Sequence, residues 1–180
     1  MTVHERWPMV FSYYNKLSAS QKRTYLKSDA IPSIPLSSSD DLKPIIPALQ
    51  SALLEQDRAS AERLCRQIGK GITDALAIPP LRVRVLAARP TGSWGELHGL
   101  YEPAEGRASA VITLWMRTAK HRRVVAFRSF LRTLLHEICH HLDYELLLLE
   151  ESFHTQGFYQ RESSLFHQLV EGENEKKEGL

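Results

Sequence analysis

The chain has 180 residues, of which 43% are hydrophobic and 24% are charged, and its formal net charge is +2. A chain of this length can form a sizeable core, so we expect one domain over residues 1–170 whose stability does not depend on disulfides. Its two cysteines are too few for a disulfide scaffold or a four-cysteine metal site. The N-terminus has no secretory signal pattern and no apolar run reaches the length of a membrane span, which indicates a cytoplasmic protein without a membrane partner.

The first eighty residues predict a supporting layer of helices. A capped short helix, a Pro/Ser linker and two amphipathic helices are expected over residues 18–27, 31–39, 41–55 and 57–77. Gly69 and Gly71 weaken the last of these helices and mark a candidate break. Pro79 and Pro80 end it.

Three strands are expected next, in a small and mostly antiparallel sheet. The runs that predict them are residues 81–86, 96–101 and 109–116. His98 and Tyr101 are candidates for lining a substrate cleft, although ordinary positions on the strand surface are the favoured interpretation. Trp94 and Trp115 are expected to be packing residues.

A cluster of cations follows the last strand. Its members are Arg117, Lys120, Arg122, Arg123, Arg128 and Arg132, with His121 among them. Such a basic segment attracts phosphates, so contact with DNA is one interpretation and a solvated protein surface is the other.

The motif His-Glu-x-x-His then lies in an apolar helical pattern over residues 127–149. Positions four apart share one face of a helix, so His136 and His140 can direct imidazole nitrogens at one Zn²⁺. Glu137, beside the first ligand, can act as general base toward a metal-activated water. The alternative is a helix that carries ordinary polar or partly buried histidines.

A catalytic zinc takes three protein ligands and leaves one position for water, so a further ligand is needed. His154 is the candidate, because a turn after the leucine run at 146–149 can bring the chain back over the metal before a second helix at about 155–170. The competing candidates are His141, Asp143, Glu150 and Glu151. His141 should face away from the metal. Asp143 is better suited to accept a ring N–H from a ligand histidine or to anchor the neighbouring chain, and a surface carboxylate is the alternative.

These residues resemble the SprT-like metallopeptidases and the wider group of minimal zincins. The resemblance rests on the helix motif, on His154 fourteen residues after His140, and on the aromatic Phe158. It covers about residues 81–170, and it implies a zincin-like catalytic core in which the sheet packs on the active-site helix. It also implies three histidine ligands and the motif glutamate as base, at His136, His140, His154 and Glu137.

The chain also differs from the family pattern. Thr155 stands where glycine usually follows the third ligand, and the four-cysteine zinc ribbon of many members is missing. In zincins generally, an edge strand beside the active-site helix pairs with extended substrate, which implies a protein or peptide substrate held by backbone hydrogen bonds. SprT-like enzymes often act on DNA-bound proteins, which bears on the basic segment.

The sequence therefore predicts an α+β zinc metallopeptidase that hydrolyses peptide bonds. The oxyanion needs a further donor, and Tyr159 and Arg161 in the second helix are candidates, with Tyr144 as an alternative. For Arg161 the competing interpretation is a structural salt bridge with Glu162 or Asp143.

Two other classes of function stay open. One is a non-catalytic metal-binding regulator or adaptor that holds a peptide. The other is a nucleic-acid-binding module that uses the basic segment at 117–132, with histidines that are structural or bind metal incidentally. The acidic tail at 171–180 is expected to be disordered.

Overall fold

The structure, a computed structural model, describes residues 11–37, 39–92 and 95–170. The predictions for the extreme N-terminus, for Trp94 and for the tail at 171–180 lie outside these residues. Within the described ranges, five α-helices of ten or more residues accompany a three-stranded sheet. This confirms the predicted α+β class.

The helices are α1 (Ala19–Asp29), α2 (Ser39–Leu42), α3 (Ile45–Leu54), α4 (Arg58–Ala75), α5 (Phe127–Glu145) and α6 (Gln156–Val170). The strands are β1 (Leu81–Ala88), β2 (Thr91–Gly92), β3 (Gly95–Glu96), β4 (Gly99–Glu102) and β5 (Ala110–Arg117). A short 3₁₀ helix, Ser12–Lys16, precedes α1.

The N-terminal helices begin where their capping residues predict. Ser18 and Gln21 form a capping box at the start of α1, and the Asp57 side chain accepts from the Ser60 amide at the start of α4. The helix predicted over 41–55 is instead divided into α2 and α3 at Pro44. Proline has no amide hydrogen to donate to the preceding turn, which explains the interruption.

Helix α4 continues through its two glycines, so the candidate break does not occur. A Cβ at Gly71 would overlap the side chain of Leu42 in α2, and a Cβ at Gly69 would come within 3.1 Å of Leu81 Cδ1 in β1. The glycines therefore let α2 and β1 approach α4 closely. This close packing offsets the low helix propensity of glycine.

The sheet is mixed, and the prediction of a mostly antiparallel sheet is wrong. Its order is β1-β5-β4, in which β5 pairs parallel with β1 and antiparallel with β4. The run predicted as one strand at 96–101 is divided, because Glu96 pairs with Thr91 of β2 whereas Gly99 pairs with Leu114 of β5. The central strand β5 is buried along most of its length, and Trp115 is 7% exposed, as expected of a packing residue.

Helix α5 connects the core to the candidate site. It packs against β4, β5 and α6, and its apolar face is at most 2% exposed at Phe130, Leu131, Leu134, Leu135, Ile138 and Leu142. Cys139 is also fully buried on this helix, in agreement with an apolar filling role.

Helix α5 ends at Glu145, about one turn before the predicted end. The amides of Leu147 and Leu149 donate to the last carbonyls of the helix, on Leu142 and Asp143, and Leu148 between them has a φ of 51°. The loop that follows the end of α5 carries His154 back toward this helix and leads into α6. No helix in the described ranges is long and apolar enough to cross a membrane.

Candidate metal centre

Three imidazole rings converge beside the C-terminal half of α5. His136 and His140 lie one turn apart on α5, and His154 comes from the loop before α6. Nε2 of His154 lies 3.0 Å from Nε2 of His136 and 3.1 Å from Nε2 of His140. The structure thus brings together the three residues predicted as ligands, and this cluster can hold a metal ion.

The ring of Phe158 forms an apolar support under the cluster. It is fully buried in α6, and its centroid lies 4.9 Å from His136, 4.8 Å from His140 and 5.1 Å from His154. The hydroxyl of Tyr13 donates to the backbone carbonyl of His154 at 2.9 Å. The loop that carries the third histidine is therefore held through both its side chain and its backbone.

The remaining ring nitrogens on α5 have polar partners. Nδ1 of His136 lies 3.1 Å from Oε2 of Glu162, and Nδ1 of His140 lies 2.7 Å from Oγ of Ser152. A carboxylate only accepts hydrogen bonds, so His136 carries its hydrogen on Nδ1 and presents the lone pair of Nε2 to the cluster. Such carboxylate contacts orient metal-binding histidines and increase their basicity.

The ligand type and two of the nitrogen separations in the cluster are compatible with a zinc ion. Imidazole nitrogens suit Zn²⁺, and bonds of about 2.0–2.1 Å in a tetrahedral arrangement place the nitrogens roughly 3.3 Å apart. The observed separations of 3.0 and 3.1 Å are close to this value. Three ligands leave one coordination position for another group.

Desolvation within the cluster favours the neutral form of two of the imidazoles. Desolvation lowers the pKa of His140 to about 3, and His136 and His154 add to this effect. Desolvation, followed by the charge of His136, also lowers the pKa of His154. A metal binds the neutral ring, so both residues are in the ligand form at neutral pH.

Glu137 lies next to His136 and is 6% exposed. Burial raises its pKa to about 7, and the neighbouring His136 opposes this rise. Gly99 of β4 passes directly over the carboxylate, since a Cβ there would overlap Glu137 Oε1 and lie 2.8 Å from Thr133 Cγ2. A carboxyl group with a pKa near neutrality is well suited to proton transfer.

The histidines open into a cleft of about 680 Å³ between α5 and β4. One wall carries Thr133, Glu137 and Tyr144 of α5, and the other wall is formed by residues 96–101. His98 and Tyr101 both line the cleft, so the interpretation favoured from the sequence, of ordinary positions on the strand surface, is wrong. A strand alternates its side chains but gives no sign of which neighbour it will face.

The side chain of Tyr101 is fixed by His141, which faces away from the cluster as predicted. Nε2 of the fully buried His141 lies 2.8 Å from the carbonyl oxygen of Pro79, so the ring hydrogen is on Nε2. Nδ1 then accepts from the Tyr101 hydroxyl at 3.1 Å. The Tyr101 ring stacks on Tyr144 with an interplanar angle of 13°, and this pair forms an aromatic end of the cleft.

Arg161 is buried rather than directed at the cleft. It has no exposed surface and donates to Asp143 Oδ1 at 2.7 Å and to the carbonyls of Ser28 and Ile31 at 2.6 Å. These contacts favour the structural salt bridge over contact with an oxyanion. Asp143 is likewise fully buried, and its second oxygen contacts Ser152 at 2.6 Å.

The two tyrosines considered as oxyanion donors differ in position. Tyr159 is 43% exposed, with its ring centroid 5.8 Å from His154 and 6.1 Å from His136, at the rim of the cluster. Tyr144 lines the cleft itself. Both remain candidates for this role.

Sequence reasoning missed the site contacts of Glu162, Ser152 and Gly99. Glu162 lies four residues after Phe158 and is 9% exposed, so an acidic residue on an apolar helix face was a signal for it. Ser152 and Gly99 lie in a loop and a strand end, where no local pattern marks them.

Several cations of the basic segment have partners inside the fold. The Arg132 guanidinium lies 3.3 Å from Glu162 and 4.2 Å from the ring centroid of Phe166, over which Arg128 lies at 5.0 Å. Arg117 donates to the carbonyl of Arg122 at 3.1 Å. Contact with DNA stays a prediction.

Comparison of the chain with protein-family models, with curated proteins and with solved structures found no match.

The first prediction concerns metal content. Purified protein supplied with zinc and then freed of excess metal should retain about one equivalent, because three imidazoles converge on one point. His154→Ala should lose it, and His121→Ala, which removes an exposed histidine elsewhere, should retain it. Elemental mass spectrometry measures all three proteins. Zinc retained by His154→Ala would exclude this residue as a ligand.

The second prediction concerns the stability of the metal-free protein as a function of pH. Folded Glu137 holds its proton up to about pH 7, whereas the ordinary pKa is 4.5, so the unfolded state binds fewer protons between these values. Wild type should therefore lose stability relative to Glu137→Gln as pH rises from 5 to 8, by roughly 2–3 kcal/mol. Urea unfolding in the presence of a chelator measures this difference. A difference that does not change with pH would show that the carboxyl group titrates normally.

Proposed function

We propose that this protein is a zinc-dependent metallopeptidase that cleaves extended segments of protein chains. The observation that carries the proposal is the position of Glu137, a buried carboxyl group with a pKa of about 7, beside three converging imidazoles at the wall of an open cleft. The resemblance of the helix motif, His154 and Phe158 to the SprT-like metallopeptidases supports the same activity.

In this proposal Glu137 is the general base. A zinc ion held by the three histidines would supply a Lewis acid that polarises the peptide carbonyl and makes a water molecule more acidic. Glu137 takes a proton from that water as its oxygen adds to the carbonyl carbon, and passes the proton to the amine nitrogen as the C–N bond breaks. The hydroxyl of Tyr144 or of Tyr159 is the candidate donor to the developing oxyanion.

The edges of the sheet favour β4 as the strand that holds the substrate. At the β1 edge, side chains of α4 occupy outward-facing backbone groups. Arg66 Nε donates to Val83 O at 3.0 Å, Arg58 donates to Val85 O at 2.8 Å, and Glu62 accepts from Val85 N at 2.8 Å. At the other edge, no described strand pairs with the outer side of β4. An extended peptide can add there through backbone hydrogen bonds.

The cleft differs between its two ends. Strand β4 follows the direction of α5, since Gly99 lies opposite Glu137 and Tyr101 lies beside His140 and Tyr144. The end beyond His140 is therefore aromatic, and it suits an apolar side chain of the substrate. Backbone pairing supplies most of the remaining recognition, so many unfolded segments would fit.

The third prediction separates an enzyme from a metal-binding adaptor. Glu137→Gln should keep one equivalent of zinc and lose about 100- to 10,000-fold in hydrolysis of an unfolded protein such as reduced casein, because only the base is removed. Gel analysis of cleavage, with zinc content measured on the same samples, checks this. A wild type that binds zinc but cleaves no unfolded protein would favour the adaptor.

The fourth prediction uses the close approach of β4. Gly99→Ala should displace the Glu137 carboxylate and lower kcat/KM by about 100-fold, since a displacement near 1 Å has an effect of this size. Zinc content should not change, because the added methyl group meets Glu137 and Thr133 rather than a histidine. Gly69→Ala is the matched control, as the atoms nearest to its Cβ belong to Leu81 and Val83, away from the cleft. Equal kcat/KM in Gly99→Ala and wild type would contradict this account.

A further inference from the structure

A chain of hydrogen bonds runs from one histidine of the cluster to a buried guanidinium. Nδ1 of His140 lies 2.7 Å from Ser152 Oγ, which lies 2.6 Å from Asp143 Oδ2. The other oxygen of Asp143 accepts from Arg161 at 2.7 Å. Asp143 and Arg161 have no exposed surface, so water does not compete for these bonds.

The direction of every hydrogen in this chain follows from its buried end. A guanidinium only donates, and the carboxylate that it neutralises only accepts. Oδ2 of Asp143 must therefore accept the single hydroxyl hydrogen of Ser152. Ser152 Oγ has no hydrogen left for His140, so it accepts from His140 Nδ1–H. This arrangement leaves Nε2 of His140 without a hydrogen and directs its lone pair at the cluster.

Burial and pairing act in opposite directions on Asp143. Burial raises its pKa above the ordinary value, while Arg161 and Ser152 oppose the rise. A contact of 2.7 Å with a guanidinium keeps the carboxylate ionised at neutral pH. Asp143 can therefore accept the hydrogen bond of Ser152 under the conditions in which a metal would bind.

We propose that Ser152 is a positioning residue that fixes the tautomer and ring orientation of His140, and that Asp143 and Arg161 set the direction of its hydroxyl. The proposal rests on the metal site of the proposed function but not on peptide hydrolysis. Partners that orient metal-binding histidines change metal affinity by about 10- to 100-fold when removed. Here the partner of His140 is the hydroxyl group of Ser152, whose hydrogen points toward Asp143 because Asp143 is paired with Arg161.

The substitution Asp143→Asn gives the proposal a distinctive consequence. Arg161 only donates, so the amide oxygen of the new residue faces Arg161 and its NH₂ group faces Ser152. The amide then donates to Ser152 Oγ, and the hydroxyl hydrogen turns toward His140 Nδ1. This direction favours the tautomer of His140 that carries its hydrogen on Nε2, the atom that would bind the metal. When Ser152→Ala is added to Asp143→Asn, no hydroxyl hydrogen remains to donate to His140 Nδ1, so the Nε2–H tautomer is no longer favoured.

The test is a double-mutant cycle on the full chain with Ser152→Ala, Asp143→Asn and the double variant. Zinc affinity is measured by competition with a chromophoric chelator, and the Co²⁺-loaded proteins give the visible spectrum of the ligand set. We expect Ser152→Ala to bind zinc about 10- to 100-fold more weakly than wild type. Asp143→Asn should bind more weakly still, and the double variant should return to the level of Ser152→Ala.

A merely structural role would give a different pattern. Damage that adds in the double variant, or zinc affinity of wild-type strength in Ser152→Ala, would overturn the proposal. Ser20→Ala is the matched control, because it removes a hydroxyl contact to Glu150 of the same loop without touching His140, and it should bind zinc normally. Equal loss in Ser20→Ala and Ser152→Ala would also overturn it.

Circular dichroism of the metal-free proteins checks that each variant is folded, since Asp143→Asn leaves Arg161 without an anion. If that variant does not fold, Ser152→Thr decides, because it retains the hydroxyl and should restore the affinity that Ser152→Ala loses. Failure of Ser152→Thr to restore affinity would reject the proposal. A protein that shows the expected affinities but cleaves no peptide would retain this proposal and contradict only the peptidase function.

Discussion

The buried guanidinium of Arg161 is the contact on which the arrangement of three helices depends. From α6 it donates to Asp143 of α5 at 2.7 Å, and it donates to the carbonyl and hydroxyl groups of Ser28 at the end of α1 at 2.6 and 2.9 Å. A buried charge is strongly destabilising unless its partners are all in place. The contacts of its two terminal nitrogens therefore fix the three helices relative to one another, while Nε of Arg161 has no hydrogen-bond partner among the described residues. The loop between α5 and α6, which carries His154, is held at both ends by the same ion pair.

The local elements of the fold could be predicted, but the pairing of the strands could not. The capping box at Ser18, the apolar period of α5 and the proline stop after α4 are signals within a few residues, and each element appears close to its expected place. The parallel pairing of β1 with β5 depends on how the chain between them crosses the sheet, and no local pattern records this. Continuity of α4 through Gly71 likewise depends on Leu42, a neighbour from another helix.

The same distinction separates the predicted and the missed parts of the site. His136 and His140 could be recognised because four residues on a helix fix their relation in space. His154 required only a returning loop, and the structure places it with them. Ser152 and Glu162 act through tertiary contacts with these rings, so their roles could not be read from spacing. Arg161 was open between two interpretations because a sequence does not state whether a cation is buried, and burial decides between a salt bridge and a cleft residue.

Helix α1 and the turn before it support the histidine cluster as much as they belong to the N-terminal layer. Tyr13 donates to the carbonyl of His154 at 2.9 Å, and Asp29 accepts from the amide of Gly157 at 2.8 Å. A Cβ at Gly157 would overlap the backbone of Asp29, so only glycine lets the end of α1 approach the first turn of α6 this closely. By contrast, α4 packs along β1, away from these contacts. The expected helical layer thus has two tasks. Helix α4 supports the sheet, whereas α1 and the turn before it hold the loop and helix that complete the histidine cluster. The geometry of the histidines therefore depends on residues more than a hundred positions earlier in the chain.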